Sequence, residues 1–460
     1  MTLEALRAAG VWVSTTAEDI APRLTDWRGA TGGPAAALLK PASIAEVVAV
    51  VRAAGEHGVP LVPQGGRTGL VGGGLPGAEG GAWIVSLERM RAIRQVDAAG
   101  LSATVEAGVV LQALHDAAAK EGCVFPLSLG AKGSATIGGL ISTNAGGVQV
   151  LRHGTMRALV LGLEAVLPDG SVLNQLGGLR KDNSGYDIKQ LLIGGEGTLG
   201  IVTAATLRLV PAPAARAVAW VGLHSPAEAL ALLRRVRGAL GEAVESFEIM
   251  PAAGLALVLR HIEGVRAPLA GAHAWHALIE VTGRGAPEAM LGEVLMAAPE
   301  VEDAVVAASD AQAAALWRLR EELPEAERRD GGAIKNDVSI AVADLPAFYE
   351  AVVAVMAGAF PTLRVMAFGH LGDGNLHLNF RAPEGVDDRA WVEANRVPVR
   401  RVLHDLIADW GGSISAEHGI GTLKAAELAR LGDPGKLAAM RAVKAALDPK
   451  GIMNPGKILV

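Results

Sequence analysis

The 460-residue chain predicts an α+β protein of more than one domain. Three observations point there. Short β-rich segments alternate with helical ones along most of the length. Two tight turns, Pro168-Asp169-Gly170 between LEAVLP and GSVLN and Gly372-Asp373-Gly374-Asn375 inside FGHLGDGNLHLNF, reverse the chain between strands and so create antiparallel neighbours. A Pro/Ala segment, PAPAAR from Pro211, interrupts the alternation, and a chain of this length exceeds what one hydrophobic core organises.

In order, residues 1–35 read as a short helical lead-in. Ser43 is an N-cap with Glu46 three residues on, a capping-box spacing, and a helix runs to about Glu56. VPLVP, WIVSL (83–87) and SATVEAG (102–108) read as strands, followed by a helix over 111–122. IVTAATLRLV (201–210) is a strong strand. After the linker the alternation restarts: AVAWVGL, a helix over 227–240, a strand near 244–249, HALIEVTG, and a helix over 311–322. The last fifty residues read as mostly helical. No internal repeat of 20 to 50 residues is present. The expected domains are 1–212, 213–410 and a C-terminal segment, 411–460, returning to the first.

Half the residues are apolar and the net charge is −6, which gives no support for a nucleic-acid partner. A single cysteine, Cys123, excludes internal disulfides and cysteine-ligated iron–sulfur clusters. The start, MTLEALRAAG, lacks the pattern of a secretory signal, and no uninterrupted apolar run reaches the roughly 18 residues of a membrane span. A cytoplasmic protein without a transmembrane segment is expected. Glycine, 58 residues, runs close to twice its usual share of about 7 per cent.

That excess gathers in loops. PQGGRTGLVGGGLP (63–76) follows a strand, and its successive N–H groups can form an anion-binding nest, with Arg67 adding a cation. A pyrophosphate suits it; so does no ligand at all. It is not a P-loop, because no Gly-Lys-Ser/Thr follows. Gly195-Glu196-Gly197-Thr198-Leu199-Gly200 matches G-x-G-x-x-G but runs into a strand rather than opening a helix, which argues against a Rossmann unit. PLSLGAKGSATIGGLISTNAGG (126–147) offers amides and short hydroxyls to a large planar ligand without side-chain bulk.

His370 and His377 flank the GDGN turn and could be packed core histidines or metal ligands. Glu417 and His418, in SAEHGIGTLK, tilt the reading toward metal. Two histidines and one carboxylate suit a borderline divalent ion with a position left open, and His418 would stay unligated as an acid–base group. Zinc is the default, with manganese or cobalt as alternatives. A zinc hydrolase without flavin chemistry could use the same three ligands, but it would have no need of the glycine loops.

The order of motifs carries a resemblance. The Gly-rich loop, then P-L-S-x-G, T-I-G-G, N-A-G-G and G-G-E-G-T-L-G-I-V-T, is similar to the p-cresol methylhydroxylase-type FAD-binding domain of the vanillyl-alcohol oxidase superfamily. G-H-x-G-D-G-N-x-H, A-E-H-G-I-G and N-P-G-K resemble its FAD-linked oxidase C-terminal domain, whose sheet is antiparallel. Together they resemble the D-2-hydroxyacid dehydrogenase branch, typified by D-2-hydroxyglutarate and D-lactate dehydrogenases.

The resemblance implies FAD contacts from Pro63, Gly65, Gly66, Arg67, Thr68, Gly69, Gly73 and Gly74 in the first loop. In the second it implies Ser128, Gly130, Gly133, Thr136, Gly138, Gly139, Ser142, Asn144, Gly146 and Gly147. Gly197, Gly200, Ile201 and Val202 would follow, with Asn454 from the C-terminal segment. Neither His nor Cys stands in the first loop, so FAD is expected to be non-covalent. The same resemblance gives His370, His377 and Glu417 as metal ligands and His418 as base. Asn379 would contact substrate, while Arg320 and Lys335 would grip its carboxylate.

Pro324 departs from the Thr of hydroxyglutarate-type members, which bonds the distal carboxylate; lactate or malate therefore gains weight. The expected reaction oxidises a small D-2-hydroxyacid, with electrons leaving to an external acceptor, an electron-transfer flavoprotein or a quinone. The resemblance also suggests a homodimer.

Overall fold

A computed structural model describes residues 2–460. The chain divides into two units. One comprises residues up to Gly147, His153–Ala212 and Glu417–Val460; the other comprises Val148–Arg152 and Pro213–Ala416.

In the first unit a four-stranded sheet has the order Trp12–Ser14, Ala35–Lys40, Ala82–Ser86, Leu61–Gln64, its last three strands parallel. The helix Ile44–His57 packs its apolar face into the unit's core, and Ser43 caps that helix by accepting from the Glu46 amide at 3.2 Å. The Glu46 carboxylate reaches back to the Ala42 amide. A second, antiparallel sheet has the order Ile93–Asp97, Ser102–Glu106, Ile201–Arg208, Val160–Val166, Val172–Gln175. Its last two strands are the hairpin turned by Gly170.

The helical reading of residues 1–35 needs correction. Among the described residues only Leu3–Ala8 and Ala17–Ile20 are α-helical there, and Trp12–Ser14 is a strand paired with Leu38–Lys40. Three residues are too few for a periodic signal, so the partner strand decides. The small-residue loop likewise contains a short helix, Ile137–Ser142. The C-terminal segment joins the first sheet: the Leu61 amide donates to the Ile452 carbonyl and the Asn454 amide to that of Leu61.

The second unit is built on one antiparallel seven-stranded sheet. Its order is Asp303–Val306, Ala215–Leu223, Trp275–Gly283, Val244–Pro251, Arg364–His370, Asn375–Arg381, Ile334–Ser339. Helices cover both faces, so Ala215–Leu223 reads as nearly continuous apolar sequence. Ala217, Ala219, Val221 and Leu223 enter one core, Val218 and Trp220 the other.

The helix Leu345–Ala359, with the turn before it, forms an 18-residue stretch, Val342–Ala359, apolar enough by length and composition to cross a membrane. Asp344 and Glu350 interrupt the run. Its Leu345, Phe348, Val352 and Met356 lie in the unit's own core.

Candidate active site

The seven-stranded sheet presents three polar rows on the face shared by Met366 and Phe368. Strand register fixes them. Lys335 stands opposite Asn379, Asp337 opposite His377, and Ser339 opposite Asn375. On the other side of the same strand, Asn379 faces Met366, His377 faces Phe368 and Asn375 faces His370. His370 in turn pairs with Glu248 on the next strand. Period-two alternation sends Leu376, Leu378 and Phe380 into the opposite core, which leaves the odd-numbered residues for chemistry.

The turn between the two histidine-bearing strands needs glycine at 374. Its φ is +80°, and a Cβ there would lie 2.1 Å from the Ile340 carbonyl oxygen. The reversal sets the His370 and His377 rings 5.6 Å apart between centroids at 77°, with ring nitrogens within 4.8 Å of each other.

Two buried carboxylates hold this face together, and sequence reasoning missed both. Glu248 accepts from His370 Nδ1 at 2.5 Å and from Arg320 Nε at 2.8 Å. Burial pushes its carboxyl up in pKa, but the charges of His370 and Arg320 outweigh that and hold it below the ordinary range. Glu327, wholly buried, accepts from Asn379 Nδ2 at 2.8 and 3.1 Å and meets Lys335 Nζ at 3.1 Å.

Asp337 also lies on this face, accepting from Asn375 Nδ2 at 2.8 Å and standing 3.7 Å from His377 Nδ1. Asp373, in the turn, is pushed up to about 6 by burial. A signal for Glu248 existed: ESFEIM is a charged interruption in a strand otherwise fit for a core. Glu327 was hidden in a charge-rich helix read as mostly wet. Arg320 on the helix Asp310–Glu321 is itself buried, its guanidinium 5.0 Å from the Phe368 ring.

Glu417 and His418 open the last part of the first unit, directly after Ala416, the last residue of the second. Their loop is latched within the first unit by Glu196, whose carboxylate accepts from the Ile420 and Gly421 amides at 2.7 and 2.8 Å. Burial raises the Glu196 carboxyl, against those two amides. Asn454 Nδ2 donates to the carbonyls of Glu196 and Gly73, at 2.7 and 2.9 Å. The G-x-G-x-x-G match leads straight into the strand Ile201–Arg208, as read from sequence.

The glycine loops of the first unit pack backbone on backbone. A Cβ on Gly66 would lie 1.9 Å from the Ser134 carbonyl oxygen, and one on Gly147 2.2 Å from that of Ser128. Among the described residues six non-glycines have left-handed backbone; three of them, Arg67, Asn144 and Glu196, sit in these loops, and Asn454 is bonded to them. Such strain concentrates where a ligand is gripped.

A family of FAD binding domains matches residues 35–175, and the C-terminal domain of FAD linked oxidases matches residues 212–458. The chain belongs to the FAD linked oxidases. It is 42% identical over 438 residues to a D-2-hydroxyglutarate dehydrogenase of Xanthomonas citri pv. viticola, covering 94% of this chain and 91% of that one. It is 40% identical over 453 residues to the mitochondrial D-2-hydroxyglutarate dehydrogenase of Bos taurus, covering 97% and 81%. The fold matches that of an alkyldihydroxyacetonephosphate synthase with a TM-score of 0.72, at 18% identity, over 96% of this chain and 82% of that one.

The protein is thus an FAD-dependent oxidoreductase, and the hydrolase alternative gives way. The first-unit loops fit the cofactor on their own geometry. Buried oxygens of Gln64, Thr136 and Asn454 have no hydrogen-bond partner among the described residues; the first two belong to these loops, and Asn454 is bonded to them from the C-terminal segment. Gly69, Gly130 and Gly133 face open space where a side chain would stand. Cys123 is buried, its thiol directed to the Glu121 carbonyl.

Proposed function

We propose that the protein oxidises a D-2-hydroxyacid to the 2-oxoacid, with non-covalent FAD and a divalent metal ion. The observation that carries this reading is the polar face of the second unit: His370, His377, Asn379 and Lys335 in register on three neighbouring strands, with Arg320 tied to the same face through Glu248. His370 and His377 would hold the ion with Glu417. The last support is chain continuity: the Ala416 amide donates to the Asp337 carbonyl at 3.3 Å, Asp337 stands opposite His377, and Glu417 is the next residue. Zinc suits two imidazoles and a carboxylate; manganese and cobalt are alternatives.

When bound, FAD supplies the hydride acceptor and the ion supplies positive charge that makes the α-hydroxyl more acidic. The chain's own residues do the rest. His418 takes the hydroxyl proton at an imidazole nitrogen. Among the described residues Arg320 has only its Nε engaged, by Glu248, which leaves its two terminal nitrogens for the substrate carboxylate. Lys335, with half of its side chain exposed, adds a point charge. Asn379 must turn its amide NH₂ to Glu327, since a carboxylate only accepts, so its Oδ1 is the atom offered to substrate.

The relatives support D-2-hydroxyglutarate as substrate. Pro324, in the first turn of the helix Leu323–Arg329, has no hydroxyl for a distal carboxylate and favours shorter acids such as D-lactate or D-malate. With one cysteine and no cluster, electrons leave to an external acceptor, an electron-transfer flavoprotein or a quinone.

Anaerobic bleaching of the flavin by a panel of D- and L-2-hydroxyacids tests the reading. D-acids alone should bleach it; no bleaching by any member sinks it. Acid boiling should release all the yellow colour, and a yellow pellet would show covalent attachment.

A further inference from the structure

We infer that Glu248 is a positioning residue that sets two parts of the substrate site at once, one carboxylate oxygen fixing the tautomer of His370 and the other aiming the guanidinium of Arg320. The inference rests on the proposed metal role of His370. Glu248 lies on the strand Val244–Pro251, is 1% exposed, and stands in register with His370 on the neighbouring strand. Arg320 arrives from a helix 72 residues away in sequence.

Both partners must donate, because an ionised carboxylate has no hydrogen to give. His370 therefore carries its proton on Nδ1, and Nε2 keeps the lone pair that a cation needs. Arg320 gives up its Nε, the inner edge of its fork, and is pinned with its plane near the Phe368 ring. The two terminal nitrogens are then left side by side for a carboxylate. One buried anion thus couples the ion's ligand to the substrate's clamp, and a change at Glu248 should disturb both.

A glutamine here is nearly isosteric but has one acceptor and one donor. Facing two donors, it can satisfy only one. If its oxygen turns to Arg320, its NH₂ meets His370 Nδ1 and drives the proton to Nε2. If it turns the other way, NH₂ meets Arg320 Nε and the fork is released.

The test compares wild type with Glu248→Gln as FAD-loaded proteins stripped of metal, titrated with Zn²⁺ against a chelating dye. The variant should bind Zn²⁺ roughly 10- to 100-fold more weakly, the usual effect of removing such an outer partner. After Zn²⁺ saturation its KM for the bleaching acid should rise more than kcat falls, with FAD absorbance unchanged. A merely structural role would move neither Zn²⁺ affinity nor the KM-against-kcat split.

If Glu248→Gln fails to fold, Glu248→Asp carries the same test, because it keeps the charge but is one methylene too short to span both partners. Zn²⁺ affinity and KM indistinguishable from wild type in a folded variant overturn this inference alone. A wild type that binds no Zn²⁺ overturns the metal reading, and this inference with it.

Discussion

The two units prepare for their ligands in opposite ways. In the first, the loops that fit FAD and the C-terminal Asn454 bonded to them keep buried oxygens without partners among the described residues, on Gln64, Thr136 and Asn454, and carry left-handed backbone at Arg67, Asn144, Glu196 and Asn454. In the second, the residues proposed for substrate and ion are tied to buried carboxylates, His370 and Arg320 to Glu248, Asn379 and Lys335 to Glu327. The first arrangement is completed by its ligand; the second is set before any ligand arrives. The difference follows from size and charge. A large cofactor brings many polar atoms to pair with, whereas a small acid brings few and depends on side chains already aimed.

The largest expected effect concerns the base. His418→Gln should leave FAD absorbance intact and slow flavin reduction by roughly 10² to 10⁴-fold in stopped-flow traces. Near-normal reduction would remove His418 from the reaction and leave the set face of the second unit without its acid–base partner.

Gly66→Ala sharpens the contrast from the other side. Its methyl would collide with the Ser134 carbonyl, so the two loops must part. Overpacking of this kind costs about 1–3 kcal/mol, and if it falls on the cofactor, FAD affinity drops roughly tenfold or more. Flavin release followed by fluorescence measures it. Unchanged affinity would mean that the backbone cradle is not what holds FAD.

Glu327→Gln should act on substrate handling, with FAD content normal. Asn379 and Lys335 lose their shared anion, so KM should rise, and the fold should lose about 1–3 kcal/mol for the mismatched buried group. A variant with normal KM would show that Asn379 and Lys335 do not need to be set in advance.

The last effect, on stability alone, concerns a buried histidine that the proposed site does not use. His276 accepts from Trp220 Nε1 at 3.1 Å, and burial, helped by His273, pushes it down to about 4 from 6.5. The unfolded chain binds its proton first, so stability complete above pH 6.5 falls as pH drops toward 4. The loss is about 2 kcal/mol after allowing for partial solvent screening. Melting temperatures across that window measure it, and His276→Gln should flatten the slope while the site residues keep their own pH dependence.

The cofactor loops were legible because their meaning is local. A run such as PQGGRTG or GGEGTLG states in consecutive residues where side chains are absent and amides are bare. The same holds for the GDGN reversal and for the alternation that puts His377 and Asn379 on one face, since period two follows from strand geometry alone. The three-residue strand Trp12–Ser14 was not legible, because it becomes a strand only through Ala35–Lys40.

What the sequence by itself determined, then, was the family and the glycine-rich loops, and it supplied the side chains proposed for the chemistry: His370, His377, Glu417, His418, Arg320, Lys335 and Asn379. What only the tertiary structure decided was who holds them. Glu248 meets His370 across 122 residues and Arg320 across 72, and Glu327 meets Asn379 across 52. The physical reason is that apolar alternation tells a strand which face to bury but not which strand lies beside it. Partner choice depends on the order of seven strands in one sheet, settled by packing two cores at once rather than by any local run of residues.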